Sequence, residues 1–257
     1  MLVVVSPAKR LDWAERNISM SSPEFQGEAS RLAGHARQLS LGDLRSLMSL
    51  SDDLARLNRD RFRAFSKSPT EETTRPALYA FAGDTYQGFD AGSLSKEAQE
   101  YAQSNLRILS GLYGLLRPMD AIQPYRLEMG SRLKTRRGNS LYDFWGTTIS
   151  KALNRDAETL ETGLLLNCAS QEYFRAVDLK ALKLRVLTPV FLENKDGAPK
   201  IISFFAKKAR GSLARFVVEN QVTDPESLKE FSVDGYRFQR QDGDSLTFLR
   251  DHDAMAV

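Results

Sequence analysis

Four apolar residues in succession, Leu2-Val3-Val4-Val5, open the chain and stop at Ser6-Pro7. A dense apolar run rich in β-branched residues reads as a strand buried on both faces. LRILSG at 106–111 and LLLNCAS at 164–170 have the same character. Residues 24–65 change period: Leu44, Leu47, Leu54, Leu57 and Phe62 recur at helical spacing, with breaks near Ser40-Leu41-Gly42 and Ser49-Leu50-Ser51. KEAQEYAQSNL (96–106) and SLYDFWGTTISKALN (140–154) read as helices, the second amphipathic and carrying aromatics. ALYAFAG (77–83) reads as a strand that turns at DTYQG, and Ser170 is placed to cap a short helix over SQEYFRAV.

Later segments pair differently. RVLTPVFLE and KIISFFA predict two strands across the NKDG turn at 194–197, and YRFQR and LTFLR predict a closing hairpin around QDGDS. Asp224-Pro225-Glu226 predicts the start of a short helix. In AKKARGSLARFVVEN, Ala209, Leu213, Phe216 and Val217 share one helical face, so the helix is expected to begin close to Lys207. Strands alternate with helices first and form hairpins later. The order predicts an α/β (mixed α+β) fold, with residues 1–257 as a single compact domain whose mixed β-sheet is flanked by helices. SKSPTEETTRP (66–76) is the best candidate for an exposed loop.

Composition adds little until it is read locally. The 257 residues are 42% hydrophobic and 27% charged, with a formal net charge of +3, all ordinary for a globular chain. Seven Lys or Arg fall between Arg107 and Arg137 against Asp120 and Glu128, and six between Lys195 and Arg215 against Asp196. From Glu219 onward nine acids face four bases, so a small net charge hides a polarised surface. Cys168 is the only cysteine, which excludes an internal disulfide and a cysteine-cluster zinc site. The apolar start is too short for a signal peptide, and no stretch approaches the roughly 18 apolar residues of a membrane span, so a cytoplasmic protein away from membranes is expected.

Four segments carry candidate chemistry. Lys207, Lys208 and Arg210 crowd the expected start of a helix, where an anion would meet both free N–H groups and cationic donors; a solvated charged face is the plain alternative. GLYGLLRPMDAIQPYRLEMG (111–130) sets Arg117 and Arg126 beside prolines that stiffen the backbone, and rigid guanidiniums suit phosphate or carboxylate. Asp120 and Glu128 are their plain partners. Ser6-Pro7-Ala8-Lys9 is formally an S-x-x-K without companion signatures, so Lys9 is read as another anion contact. AGDTYQG (82–88) places Asp84 and Tyr86 on a glycine-bounded turn. His35 and His252 are the only histidines, and neither stands in metal-ligand spacing; no phosphate-binding glycine loop occurs. No cofactor and no tightly bound metal are expected.

SPAK (6–9), FAGDTYQG (81–88), LRILSGLYGLLRPMDAIQPYRLEMG (106–130), LYDFWG (141–146), NCASQEYFR (167–175), PVFLENKDG (189–197), KIISFFAKKARGSLARFVVEN (200–220) and GYRF (235–238) together resemble the YaaA family of peroxide stress proteins, nearly end to end. Cys168 stands where Leu is usual, and the C-terminus departs from the pattern. The resemblance implies a cytoplasmic protein of the peroxide response with an α/β domain and a basic cleft. It further implies DNA binding, a helix-hairpin-helix-like element and a role in limiting free iron and Fenton damage. The nearest match to that element is Leu109-Ser110-Gly111-Leu112-Tyr113-Gly114, whose glycines are three apart and whose second helix Pro118 would interrupt.

Two functions follow as expectations. In the first, Lys9, Arg117, Arg126, Lys207, Lys208 and Arg210 grip DNA phosphates without base specificity, while Tyr86, Tyr125 and Tyr113 stack on unpaired bases. In the second, the same cleft holds a nucleotide or other phosphorylated molecule, with Asp84, Glu128 or Ser6 as catalytic groups. Direct iron storage would need clustered carboxylates and histidines that the sequence does not assemble.

Overall fold

A computed structural model describes residues 1–195 and 197–251, so Asp196 in the NKDG turn and His252 lie outside the described residues. The core is an eight-stranded mixed sheet. Its strands are β1 (Leu2–Val5), β2 (Leu106–Ser110), β3 (Gly114–Leu116), β4 (Leu164–Cys168), β5 (Arg185–Lys195), β6 (Ala198–Lys200), β7 (Tyr236–Asp242) and β8 (Ser245–Asp251). They lie in the order β7-β8-β5-β4-β1-β2-β3, and β6 pairs with the far end of β5. From β8 to β2 the strands run parallel; β3, β6 and β7 are antiparallel additions.

Burial explains the apolar runs. Leu2, Val3 and Val4 are fully buried, and β1 sits mid-sheet with a parallel neighbour on each side. The chain leaves β1 for β2 on one side and later lays β4 on the other. Strand order therefore reverses at β1, the place where open α/β sheets form a crevice beyond the carboxyl ends of their strands.

The three-helix reading of residues 24–65 holds: helices span Gln26–Arg37, Leu41–Met48 and Asp52–Ala64, the last two capped by Ser40 and Ser51 at the expected breaks. Four local expectations fail. ALYAFAG is a helical turn, Ala77–Ala80, followed by a two-residue bridge, and DTYQG lies in the helix Asp84–Phe89. SLYDFWGTTISKALN breaks at Gly146, whose φ of 47° divides Leu141–Trp145 from Thr148–Thr159. KIISFFA is not a strand: only Ala198–Lys200 pairs with β5, and the helix starts at Ser203 and runs to Glu219. A short apolar run such as Ile201-Ile202-Ser203-Phe204-Phe205 satisfies either period. Lys207, Lys208 and Arg210 consequently lie in the second turn, away from the free N–H groups at the helix start. Leu109–Gly114, whose glycine spacing and Pro118 argue against a helix-hairpin-helix element, covers the end of β2, the turn at 111–113 and the start of β3, and contains no helix.

Candidate functional site

Ser6 follows β1 and Ser170 follows β4, so parallel pairing of the two strands brings the serines together at the carboxyl edge. The Ser170 amide donates to Ser6 Oγ at 2.8 Å, and the two hydroxyl oxygens stand 3.3 Å apart. The Tyr86 hydroxyl donates to the Ser6 carbonyl at 3.1 Å. At the end of β2, Ser110 Oγ and the Tyr125 hydroxyl are 2.6 Å apart. Burial raises the Tyr86, Tyr125 and Tyr173 phenols above their ordinary range; Tyr125 adds to the rise at both Tyr86 and Tyr173, and Glu128 to that at Tyr125 and Tyr173. The phenols are neutral hydrogen-bonding groups at physiological pH, not bases.

The loop after Tyr125 places a charged triad beside them. Glu128 Oε1 accepts from Arg126 Nε at 2.9 Å and lies 3.4 Å from Lys9 Nζ, while its second oxygen is buried without a protein partner. Glu172 Oε1 accepts from the Gly130 amide at 3.0 Å. Asp84 opens its short helix half-buried.

Arg210 arrives from the opposite layer. The helix Ser203–Glu219 crosses Asp84–Phe89 in backbone contact, because Gly211 sits against the Thr85 carbonyl and Gly88 against the Lys208 carbonyl. The Ser212 hydroxyl donates to the Gly88 carbonyl at 3.3 Å across the crossing. This is why Gly211 is glycine; it gives no access to a ligand. The crossing lodges Arg210 close to Cys168, largely out of solvent. Burial lowers the Arg210 pKa and raises that of the Cys168 thiol to about 12, a rise that the guanidinium opposes.

Of the residues singled out in the sequence, Ser6, Lys9, Tyr86, Tyr125, Arg126, Glu128 and Arg210 belong to this carboxyl-edge cluster. Lys207 and Lys208 flank Arg210 on its helix, Lys207 exposed and Lys208 turned to Asp234 at 2.9 Å. Arg117 does not join them. It follows β3, which runs back along β2, and so reaches the amino edge, where it stands 3.8 Å from Asp156. Asp156 is already held by Arg107 at 2.6 Å in a buried pair. Tyr113 and Tyr125 are buried to 0% and 4% exposure, which leaves no ring face for an incoming base. Sequence reasoning missed Ser170, Glu172 and Tyr173 as site residues, although Ser170 carried a signal as a helix cap directly after a buried strand.

A second feature lies on the helix Gln26–Arg37. Cavities of about 610 and 490 Å³ adjoin there, sharing Arg31 and Gly34. The larger is lined also by His35, Arg136 and Arg137, the smaller by Lys67, and no carboxylate of the described residues lines either. Glu28 lies beside them, fixing Arg31 at 2.8 Å and Arg137 at 3.0 Å. Among the described residues, no group of three or more His, Cys, Asp or Glu could hold a metal ion, and no helix is long and apolar enough to cross a membrane.

The sheet order, the hydroxyl-rich carboxyl edge and the separate arginine groove define a single-domain α/β protein with polar sites and no metal-ligand cluster among its described residues. Its family is specific. The pattern described as "Peroxide stress protein YaaA" matches residues 1–242, and the chain belongs to that family. It is 66% identical over 238 residues to a UPF0246 protein of Ruegeria pomeroyi, covering 93% of each chain. A UPF0246 protein of Roseobacter denitrificans is 62% identical over 258 residues, 99% of this chain and 100% of the relative. Membership supports a general role in the response to oxidative stress.

Proposed function

We propose that this peroxide stress protein binds DNA through its phosphates and thereby helps limit iron-dependent oxidative damage. The observation that supports this reading is the groove of Arg31, Lys67, Arg136 and Arg137, where Glu28 holds Arg31 and Arg137 while Lys67 and Arg136 stand exposed. Contacts of this kind give affinity without base specificity. Lys207, well exposed, suits the same task, whereas Lys9, Arg117, Arg126 and Lys208 already face carboxylates. Any effect on free iron is indirect in this reading.

The test is anisotropy of a labelled duplex over a salt series, comparing the native protein with a Lys67→Ser, Arg136→Ser variant. Both side chains are exposed and, among the described residues, neither stands in an ion pair, so the fold should tolerate their loss. We expect weaker binding and a log–log salt slope shallower by about 2, close to one unit per lost phosphate contact. Identical curves would remove the groove from the reading.

The alternative is an enzyme acting on a nucleotide or another phosphorylated small molecule. It draws on the meeting of Ser6, Glu128 and Arg210 at the switch point of the sheet. Glu128, held by Lys9 and Arg126, could serve as a base only after those partners moved.

A further inference from the structure

We propose that the crevice beyond β1 and β4 binds a small phosphorylated molecule, with Arg210 as the principal contact and Ser6, Ser170 and Lys9 around it. The inference deepens the second reading above, and it can stand or fall apart from the DNA reading because it uses no residue of the arginine groove.

Arg210 is the anomaly that carries it. Surface arginines of this chain commonly face a carboxylate, as Arg16, Arg31, Arg45 and Arg155 do. The fully buried Arg107 has Asp156. Arg210 is largely withdrawn from water, yet among the described residues no carboxylate bears on it, and Cys168 is the one ionisable neighbour that does. That thiol keeps its proton at neutral pH and supplies no countercharge. A guanidinium so placed is costly to desolvate unless an anion completes it. Nor can the helix swing it out to solvent, because Gly88 and Gly211 lock the crossing at backbone contact.

The surroundings fit a tetrahedral anion. The site lies where strand order reverses, beyond the ends of β1 and β4. Ser6 and Ser170 bring two hydroxyls together there, and the paired phenol of Tyr86 holds the backbone at Ser6. Lys9, 65% exposed, lies three residues after Ser6 and can swing toward an anion at modest loss from its 3.4 Å contact with Glu128. A planar fork, hydroxyl donors and a mobile ammonium make a phosphate set. Glu128 and Glu172 at the rim disfavour a long polyanion at this point and favour a small one.

The experiment is thermal unfolding and calorimetry of the whole protein with inorganic phosphate and with acetate. Native protein, Arg210→Met, Arg210→Lys and the Lys67→Ser, Arg136→Ser variant are compared. Phosphate should raise the melting temperature of the native protein by a few degrees at a concentration well above its Kd. Acetate should not. Arg210→Met should lose the shift, and without phosphate should melt no lower than the native protein. Arg210→Lys, which keeps the charge and discards the fork, should bind phosphate at least about tenfold more weakly and remains the test if the methionine variant does not fold. The groove variant should keep the full shift. No phosphate effect on the native protein, an equal effect of acetate, or an undiminished phosphate effect in the Arg210 variants would overturn the proposal.

Discussion

The carbonyl oxygen of Thr85 occupies the space that a Cβ on Gly211 would need. The contact is backbone against backbone, so neither side can yield by changing a rotamer. A Gly211→Ala substitution must therefore push the two helices apart. It should destabilise the protein by about 3 kcal/mol, at the upper end of ordinary overpacking. Urea unfolding measures this. A change within experimental error would mean that the helices are not held at this distance.

Asp156 anchors the other end of the sheet. Its carboxylate and the Arg107 guanidinium are 5% and 4% exposed, and Arg117 adds a longer contact from the surface. Removing one partner of such a pair strands a buried charge, and Asp156→Ala should cost about 3–5 kcal/mol. Replacing both Arg107 and Asp156 with apolar residues should cost much less than the single change. A double-mutant cycle reads the difference, and additivity would contradict the coupling.

What could be read from the sequence follows from how local each cause is. The runs at 2–5, 106–110 and 164–168 are legible because burial on both faces leaves a strand mostly apolar, with Arg107, Ser110 and Asn167 as buried exceptions. The Ser170 cap and the breaks near Ser40 and Ser51 are legible because capping acts over three residues. The meeting of Ser6 with Ser170 depends on β4 lying next to β1, a neighbourhood set across 164 residues. The lysine pair before Arg210 misled for the opposite reason. Phe204 and Phe205 fit a strand as well as a helix, and the error moved the cations by one turn. Lys9, Arg126 and Arg210 were identified as anion contacts, but their shared edge and the departure of Arg117 came from strand direction alone.

Asp120 gives the fold a pH dependence. Burial, outweighing its hydrogen bonds from the Arg117 amide and the Ser21 hydroxyl, raises its pKa from 3.8 to about 6. The folded state thus keeps this proton to a higher pH than the unfolded chain does. The resulting stability is fully present below the unfolded value near 3.8 and is lost as pH rises through about 6. The contribution is on the order of 2–3 kcal/mol. Urea unfolding between these limits should show stability falling with pH, and Asp120→Asn should flatten that slope. An equal slope in both proteins would assign the effect to other groups.

The Lys207 and Lys208 pair separates two ways of holding DNA. Lys207 is exposed, whereas Lys208 is engaged with Asp234. If the duplex extends from the arginine groove onto this helix, a Lys207→Ser, Lys208→Ser variant should bind more weakly, with a salt slope shallower by about 1 to 2. Loss of the Lys208–Asp234 contact should itself cost under about 1 kcal/mol of stability, since both side chains are partly solvated. Unchanged duplex binding would confine the DNA to the groove and leave the lysine pair as an ordinary charged face.

Cys168 bears on how a peroxide stress protein meets peroxide. Its thiol is buried, and burial raises its pKa to about 12 despite Arg210. The thiolate is the species that attacks peroxide and alkylating agents, and it is nearly absent here at neutral pH. The folded protein should therefore resist iodoacetamide and millimolar hydrogen peroxide at this position, and mass spectrometry should find one labelled thiol only after denaturation. A Cys168→Ala variant should keep any DNA and phosphate binding intact. Rapid stoichiometric labelling of the native protein would instead show that the carboxyl edge opens readily, and would make Cys168 a candidate sensor.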